Sequence, residues 1–583
     1  MRRIVFLCRV IAPALFVMFS GCQPEPVLPG LDYKISRSSW DSLPALQVRI
    51  AFQPAENGKT RLLFADNAWG QDSLWNTVKD LRMHAGQGTS VINRDSGWVE
   101  ISHATGTGPL EVGYKIIQDQ PLSGDPSLTY RPIVQPEYFH VFAHNLLMVP
   151  EHYQAGGKAG EGQGQASGEG FGNRAAVRLS WEGWEAPGVV HNSFGSQQPE
   201  QDLGAIDLDR FMSAVFVGGD FRVLTADVKG NTVHLAIRGD WIPFSPEEVM
   251  DLLRQTLAAQ RDFWQDHSQP YFTVTMRPFS LERGSSYQGT GLTNSFATSV
   301  SNNASTSLDQ LVYLFNHELM HNWIGHAIEN ESEEAQYWFS EGFTEYYTAK
   351  NIAAYGIAGK DWGYYIEAVN EKIRQLAASP VRTAPNSDIT YENFWSSRDY
   401  EKLPYYRGFL FAFYLDQQIR AVSERRKSLD NLMRDLLKDS REKGFKLSGG
   451  HFVKRANAYL VEDLQPFFHK YIENGELLPL EDYFRDLELD FKTGADLFHL
   501  GFTFSPERDS VISVDPESAA FASGVRKGDR VLSRSIYMGA TDKEVELVVR
   551  RNGREYPVSY LPRRKEPIPQ LLDTPENREA LSK

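Results

Sequence analysis

The spacing of apolar residues changes character several times along this chain. Up to about Trp241 the apolar positions alternate in short runs, among them Leu46 to Phe52, Thr60 to Phe64, Val112 to Ile117, Ala176 to Trp181 and Val233 to Ile237, with Gly, Asn, Asp and Pro between them. A period of two bounded by turn formers predicts β-strands, here an antiparallel domain built as a sandwich in two parts. At Ser245 the period becomes helical and holds to Gln265, and Ser245-Pro246-Glu247-Glu248 supplies an N-cap, a first-turn proline and acids that suit the helix dipole. Tyr271 to Met276 is strand-like, and from Leu311 to about Asp486 the pattern is mostly helical. The last compact piece runs from about Phe491 to Leu561, and the segment after Arg563, with its prolines and charges, is expected to be loosely ordered.

These changes divide the chain into 1–22, a β-rich N-terminal region at 23–243, a mostly helical region at 244–488, a β domain at 489–563 and a tail at 564–583. A length of 583 residues is too great for one core and suggests three to four domains. A net charge of -15 argues against a phosphate-binding surface, so no nucleic-acid partner is expected. The Gly-rich stretch from Ala155 to Gly172 lacks the apolar residues that would offset its ordering entropy and reads as a surface loop. It is no phosphate cradle, because AAVRLSW after it alternates like a strand. At the start, Arg2, Arg3 and Arg9 precede the apolar run Val10 to Phe19, which has signal-peptide proportions, and Ser20-Gly21-Cys22 resembles a bacterial lipobox. The expectation is a lipoprotein lipidated at Cys22, anchored at the bacterial cell envelope facing the periplasm or exterior, with QPEPVLPG as a short tether. Cys8 and Cys22 are the two cysteines, and loss of the signal leaves no pair for an internal disulfide.

The chemistry is concentrated between Leu311 and Tyr347. His317, Glu318 and His321 spell H-E-x-x-H in an apolar helical run that starts with a capping box of Ser307 and Gln310. Four residues apart on a helix, His317 and His321 share a face and can hold one metal ion; Glu318 lies about 100° round the axis, placed to take a proton from water. A catalytic zinc site needs a third ligand and an open position. Glu341, in the apolar segment Trp338 to Tyr347 that reads as one helix tolerating Gly342, is the candidate. Glu345, one turn on, is placed to accept a hydrogen bond from the free ring nitrogen of a liganding histidine. His326 reads as a surface histidine.

H-E-L-M-H followed by W-F-S-E-G-F-T-E-Y-Y resembles the gluzincin metallopeptidases, in particular the glycyl aminopeptidase family with a C-terminal PDZ domain, and more distantly the aminopeptidase N and leukotriene hydrolase group. The resemblance implies a multidomain α+β chain with a thermolysin-like catalytic domain, one Zn2+ held by His317, His321 and Glu341, and Glu318 as general base. Pro404-Tyr405-Tyr406-Arg407-Gly408 is similar to the P-Y-x-x-G segment whose tyrosine stabilises the oxyanion, which assigns that role to Tyr405, with Tyr406 as competitor. Gly291, Leu292, Thr293 and Asn294 occupy the place of the substrate-binding segment, but Thr293 stands where the family's Glu grips the free amine; Glu282 is the nearest upstream acid. A hydroxyl cannot match a carboxylate on an ammonium. The expected activity is therefore aminopeptidase-like with altered recognition of the N-terminus. The alternatives are an endopeptidase with the same site, or a catalytically silent envelope scaffold. His499-Leu500-Gly501-Phe502 resembles the carboxylate-binding loop of PDZ domains, with Leu500, Gly501 and Phe502 placed to hold a peptide C-terminus. Glu137 to Glu151 is similar to the family's partly buried strand in the N-terminal β domain.

Overall fold

The computed structural model describes residues 30–83, 89–93, 97–121, 130–154, 173–184, 189–282 and 284–582; the expectations for 1–22, the tether and the Gly-rich stretch 155–172 lie outside them. The chain forms two compact units, one from Met1–Asp119, Phe142–Trp184 and Gln198–Ser213, the other from Gln120–Val141, Glu185–Gln197 and Ala214–Lys583.

The first unit is built of β-sheet, as the alternation predicts. Its six-stranded sheet runs Glu200–Asp207, Arg174–Glu182, Gly30–Trp40, Leu43–Phe52, Leu110–Ile117, Val78–Met83, beside a sheet of four short strands. Buried and half-buried positions alternate strictly along the start of Leu110–Ile117, so one face packs inward. The expectation of purely antiparallel pairing is corrected, since Gly30–Trp40 runs parallel to Arg174–Glu182. A parallel pair needs a long crossover, and the intervening chain supplies it through the second sheet.

In the second unit, β1 (Arg222–Val228), β2 (Asn231–Ile237), β3 (Tyr271–Phe279), β4 (Tyr287–Leu292) and β5 (Ser295–Ser301) form a sheet in the order β1-β2-β3-β5-β4. Strands β2, β3 and β5 are parallel, and β4 closes one edge antiparallel to β5. Helix α1 (Pro246–Trp264) makes the crossover from β2 to β3, and its predicted cap is formed: Glu248 N–H donates to Ser245 Oγ at 3.2 Å and Ser245 N–H to Glu248 Oε2 at 2.7 Å. Val233–Ile237, expected in the N-terminal β region, is therefore a strand of this sheet; its parallel register with Tyr271–Phe279 pulls the boundary upstream of 243. Tyr138–Phe142, within the segment read as a partly buried strand, is buried throughout.

The helices that follow include α2 (Leu308–Met320), α3 (Glu333–Ser340), α4 (Gly342–Ala354), α5 (Trp362–Ala378), α6 (Arg398–Val422) and α7 (Leu429–Lys443). Leu311, Val312, Phe315 and Leu319 of α2 join the core under the sheet, while Met320 joins the aromatic core of the helices. The single helix expected from Trp338 to Tyr347 is two, α3 and α4, meeting at Glu341, which is still hydrogen-bonded on both sides through Tyr337 O and Glu345 N–H at 2.9 Å. Glycine at 342 is required by contact, not merely tolerated. A Cβ there would lie 2.4 Å from the Cα of Gly408 on α6, and one on Gly408 would lie 2.0 Å from the Trp338 carbonyl oxygen. Helices α4 and α6 thus cross backbone to backbone.

The C-terminal β region contains β6 (Phe491–Phe498), β7 (Phe502–Phe504), β8 (Val511–Val514), α8 (Ala519–Ala522), β9 (Arg530–Ser535), β10 (Val545–Arg551), β11 (Arg554–Tyr560) and β12 (Arg563–Leu571) around a core of Phe502, Val511, Val525, Leu547 and Val549. The expectation of a loosely ordered tail is corrected. β12 pairs antiparallel with β6, and α9 (Pro575–Ser582) follows it. Leu571 and Leu581 are buried, and Asn370 on α5 exchanges hydrogen bonds with the Leu571 backbone at 2.7 and 2.9 Å. Pro567 and Pro569 made the segment read as unpaired, but an outer strand accommodates proline.

Candidate metal centre

Helix α2 starts where predicted, with the Ser307 N–H donating to Gln310 Oε1 at 3.1 Å, and runs into the sheet core, which fixes its rotation. His317 lies in its last turn and His321 is its C-cap, so the two imidazoles project from one face. His321 Nδ1 is 3.1 Å from the Ile324 carbonyl, which leaves Nε2 as the outward acceptor. The two Nε2 atoms are 3.3 Å apart, and Glu341 Oε2 stands 3.5 Å from that of His317 and 3.7 Å from that of His321. Ligands about 2.1 Å from a tetrahedral metal lie about 3.4 Å from one another. The triangle matches that spacing on all three edges, and these residues form a group able to hold a metal ion. Glu341 Oε2 is buried with no hydrogen-bond donor at bonding geometry, as an atom awaiting a cation would be. Two nitrogens and one carboxylate oxygen are the donor set of a catalytic zinc ion, which keeps a further position for water.

Behind His317 lies a network that only partly follows from sequence. Glu345 is buried, with Oε1 3.4 Å from His317 Nδ1, and it accepts hydrogen bonds from the Tyr313 hydroxyl and from Lys372 Nζ, the latter at 3.0 Å. Burial alone would raise the Glu345 carboxyl, but Lys372, His317 and Tyr313 outweigh it and hold it below its ordinary value. Glu345 therefore stays anionic beside the ring nitrogen. Tyr313 was detectable as the residue four before His317 on the same face; Lys372 comes from α5 and left no local signal.

Glu318, half-buried, is pushed up by loss of solvent, which outweighs the two histidines that pull it down. Tyr405 comes from α6, one turn before the Gly342–Gly408 crossing. Its ring stacks on that of His317 with centroids 5.9 Å apart, and its hydroxyl lies within the field of the Glu341 carboxylate. Burial first and the Glu341 charge second raise it far above a normal phenol, so it remains a donor. Tyr406 borders the network behind His317, with Lys372 Nζ 5.6 Å from its ring centroid. Gly291, Leu292, Thr293 and Asn294 form the end of the β4–β5 hairpin; a Cβ on Gly291 would lie 3.4 Å from His326 Cε1, and Asn294 has a φ of 51°. Thr293 lies in the turn, Glu282 is exposed, and His326 is exposed as expected. Tyr130 and Tyr287 were not anticipated; burial raises both, followed by the Glu318 charge at Tyr130 and by the Glu345 and then the Glu318 charge at Tyr287, and the Tyr130 hydroxyl donates to Gly289 O at 3.2 Å. Leu500, Gly501 and Phe502 lead into β7; Gly501 has a φ of 79°, and Leu500 O accepts from the Tyr560 hydroxyl at 2.6 Å.

No protein-family model matches the chain. Among characterised proteins, leucine aminopeptidase 2-2 of Meyerozyma guilliermondii is 29% identical over 123 residues, covering 18% of this chain and 19% of that one. A leukotriene A-4 hydrolase homolog of Botryotinia fuckeliana is 29% identical over 106 residues, covering 18% of this chain and 16% of that protein. The matched stretch thus spans under a fifth of the length of these relatives. Among solved structures, the crystal structure of an aminopeptidase N family protein from Idiomarina loihiensis superposes with a TM-score of 0.68 at 15% identity, covering 94% of this chain and 100% of that one. From its β-rich beginning to the helices around the metal centre, this chain has the fold of that aminopeptidase N family protein.

Proposed function

We propose that the protein is a zinc-dependent peptidase of aminopeptidase type. The observation that carries this is the triangle of His317, His321 and Glu341, with edges of 3.3, 3.5 and 3.7 Å, beside a partly desolvated Glu318 and a buried Tyr405 hydroxyl. Zinc bound there supplies a Lewis acid that acidifies water and polarises the scissile carbonyl. Glu318 accepts the water's proton and delivers it to the leaving amine, a task suited to a carboxyl raised by desolvation. Tyr405, neutral and fixed against His317, donates its hydrogen bond as charge develops on the carbonyl oxygen. Glu345 orients the His317 ring from behind.

Within this reading the chain is of the glycyl aminopeptidase kind. Thr293 at the end of the β4–β5 hairpin, with Glu282 exposed, favours relaxed recognition of the free amine and lets the same site accept internal bonds. The C-terminal region is a PDZ-like module: Gly501 takes the positive φ such a loop needs, and β7 is paired on one edge only among the described residues. The N-terminal sequence favours anchoring through lipidated Cys22 at the cell envelope. The deciding experiment measures zinc content and cleavage of a peptide library by the protein and by Glu318→Gln. The expected variant keeps one zinc per chain and loses cleavage. A metal-free parent protein, or an active Glu318→Gln, overturns the proposal.

A further inference from the structure

A cleft of about 890 Å³ opens between the helices that flank the metal centre and the C-terminal β region. One wall is α5 and the start of α6, including Arg398, Lys402 and Tyr406; the other is β6 and the turn at Met538. It shares a wall with the metal centre. Lys402 Nζ lies 4.4 Å from the centroid of the Tyr405 ring, which itself stacks on His317. The charge of Lys402 reaches the Glu318 carboxyl.

Three features say what the cleft takes. First, β6 lines it with the consecutive residues Ala495, Asp496, Leu497 and Phe498. Successive side chains of a strand point to opposite faces, so a cavity bordered by four in a row meets the strand along its edge. Among the described residues β6 pairs only with β12, which leaves that edge with unpaired main-chain groups. Second, the charges are balanced. Arg374 is neutralised by Glu367 and Glu371 at 2.5 Å each, while among the described residues Arg398 and Lys492 have no ion-pair partner, and neither have Asp399 and Asp542. A polyanion would find as much repulsion as attraction there, whereas a peptide main chain with a terminal carboxylate meets complementary groups of both kinds. Third, Met538 is 75% exposed at the rim, an adaptable apolar contact of the sort used on surfaces that accept varied side chains.

We infer that the cleft binds the C-terminal portion of the peptide substrate as an extended strand along the edge of β6, with Arg398 and Lys492 meeting its carboxylate. The inference rests on the peptidase reading, because in a substrate losing its N-terminal residue all remaining residues lie on the leaving-group side. This edge is distinct from the loop at Leu500, Gly501 and Phe502, none of which lines the cleft. Residues 536–544 between β9 and β10 form turns only, which lets the Met538 turn reach the catalytic helices.

The test is calorimetric titration of hexa-alanine and di-alanine into zinc-loaded Glu318→Gln protein, which holds substrate without consuming it. Two further variants on that background are Ala495→Trp, which fills the cleft beside the strand edge, and Arg398→Glu, which reverses a charge on the exposed opposite wall. The hexapeptide is expected to bind at least about tenfold tighter than the dipeptide, as a few good contacts would give, and each variant should cut that advantage to about threefold or less. An advantage that survives both substitutions overturns the inference. So does hexapeptide binding that the dipeptide does not compete with, since the cleft would then serve a separate ligand. A hexapeptide that loses affinity in both variants, but is never cleaved by the parent enzyme, supports the cleft while removing the peptidase reading.

Discussion

The crossing of α4 and α6 offers the sharpest perturbation of the centre from outside it. In Gly408→Ala the new methyl would sit 2.0 Å from the Trp338 carbonyl oxygen and against the Gly342 Cα. A relaxed contact needs about 3.5 Å, so the helices must part by about 1.5 Å. Both obstructing groups are backbone and cannot rotate away. Tyr405 lies one turn from residue 408, and Glu341 is the neighbour of Gly342, so the separation is transmitted directly to the proposed oxyanion donor and a candidate metal ligand. Overpacking of this kind costs about 1–3 kcal/mol, and a misplacement of about 1 Å at reacting groups costs about 100-fold in rate. The expected Gly408→Ala enzyme therefore melts earlier, binds zinc more weakly and loses about two orders of magnitude in kcat/KM on a short peptide. Gly450→Ala, where an added Cβ meets nothing within 4 Å, is the matched control and should behave as the parent. Scanning calorimetry with steady-state kinetics reads both. A Gly408→Ala protein with parental melting and activity within threefold would show that the crossing has slack and that the site does not depend on it.

Four other outcomes follow from the same geometry. Tyr405→Phe should lower kcat by about 10²–10³ with little change in KM, because the lost hydrogen bond is made to charge that exists only in the transition state; an equal loss carried in KM would make Tyr405 a binding residue. Lys372→Met should weaken zinc affinity by about 10–100-fold in a chelator competition, with Lys372→Arg restoring most of it, because Glu345 loses the cation that holds it anionic. Asp416 accepts from Tyr346, Lys350, Arg420 and the Leu429 N–H in the helical core, and despite burial Lys350 and Arg420 hold its carboxyl well below the usual range. Its stabilisation is thus complete above the unfolded value of about 4 and lost as pH falls through the lower folded value, so melting should fall with acid in the parent and less steeply in Asp416→Asn, which also loses about 3–5 kcal/mol at neutral pH. Peptides with free and acetylated N-termini should be cleaved at similar rates, and strong rejection of the blocked peptide would show that another group replaces the acid missing at Thr293.

The parts of the site legible in sequence are those set by local geometry. His317, Glu318 and His321 were readable because one helix fixes their relative directions, and the caps at Ser245 and Ser307 because they join neighbours. Glu341 was readable as the acid of the next apolar helical segment, whereas Tyr405 needed a resemblance, since nothing in the two segments says that α4 and α6 touch. That contact depends on two glycines whose role shows only when the backbones are laid across each other. The break at Glu341 escaped notice because both flanking stretches are apolar and helical. Lys372 was invisible for the opposite reason: on α5 it reads as one more surface lysine, and only tertiary packing turns it inward. The ordering of residues 564–582 was hidden by prolines that a terminal strand accepts.

The reciprocal pair between Asn370 and Leu571 has a bearing on how the molecule is made. A ribosome releases the chain from its N-terminus, and domains ordinarily settle as they emerge. The helix that delivers Lys372 to the centre, however, is clasped by a strand that leaves the ribosome 201 residues later. The clasp that holds this helix, and with it Lys372 beside Glu345, can therefore form only after Leu571 has been added to the chain.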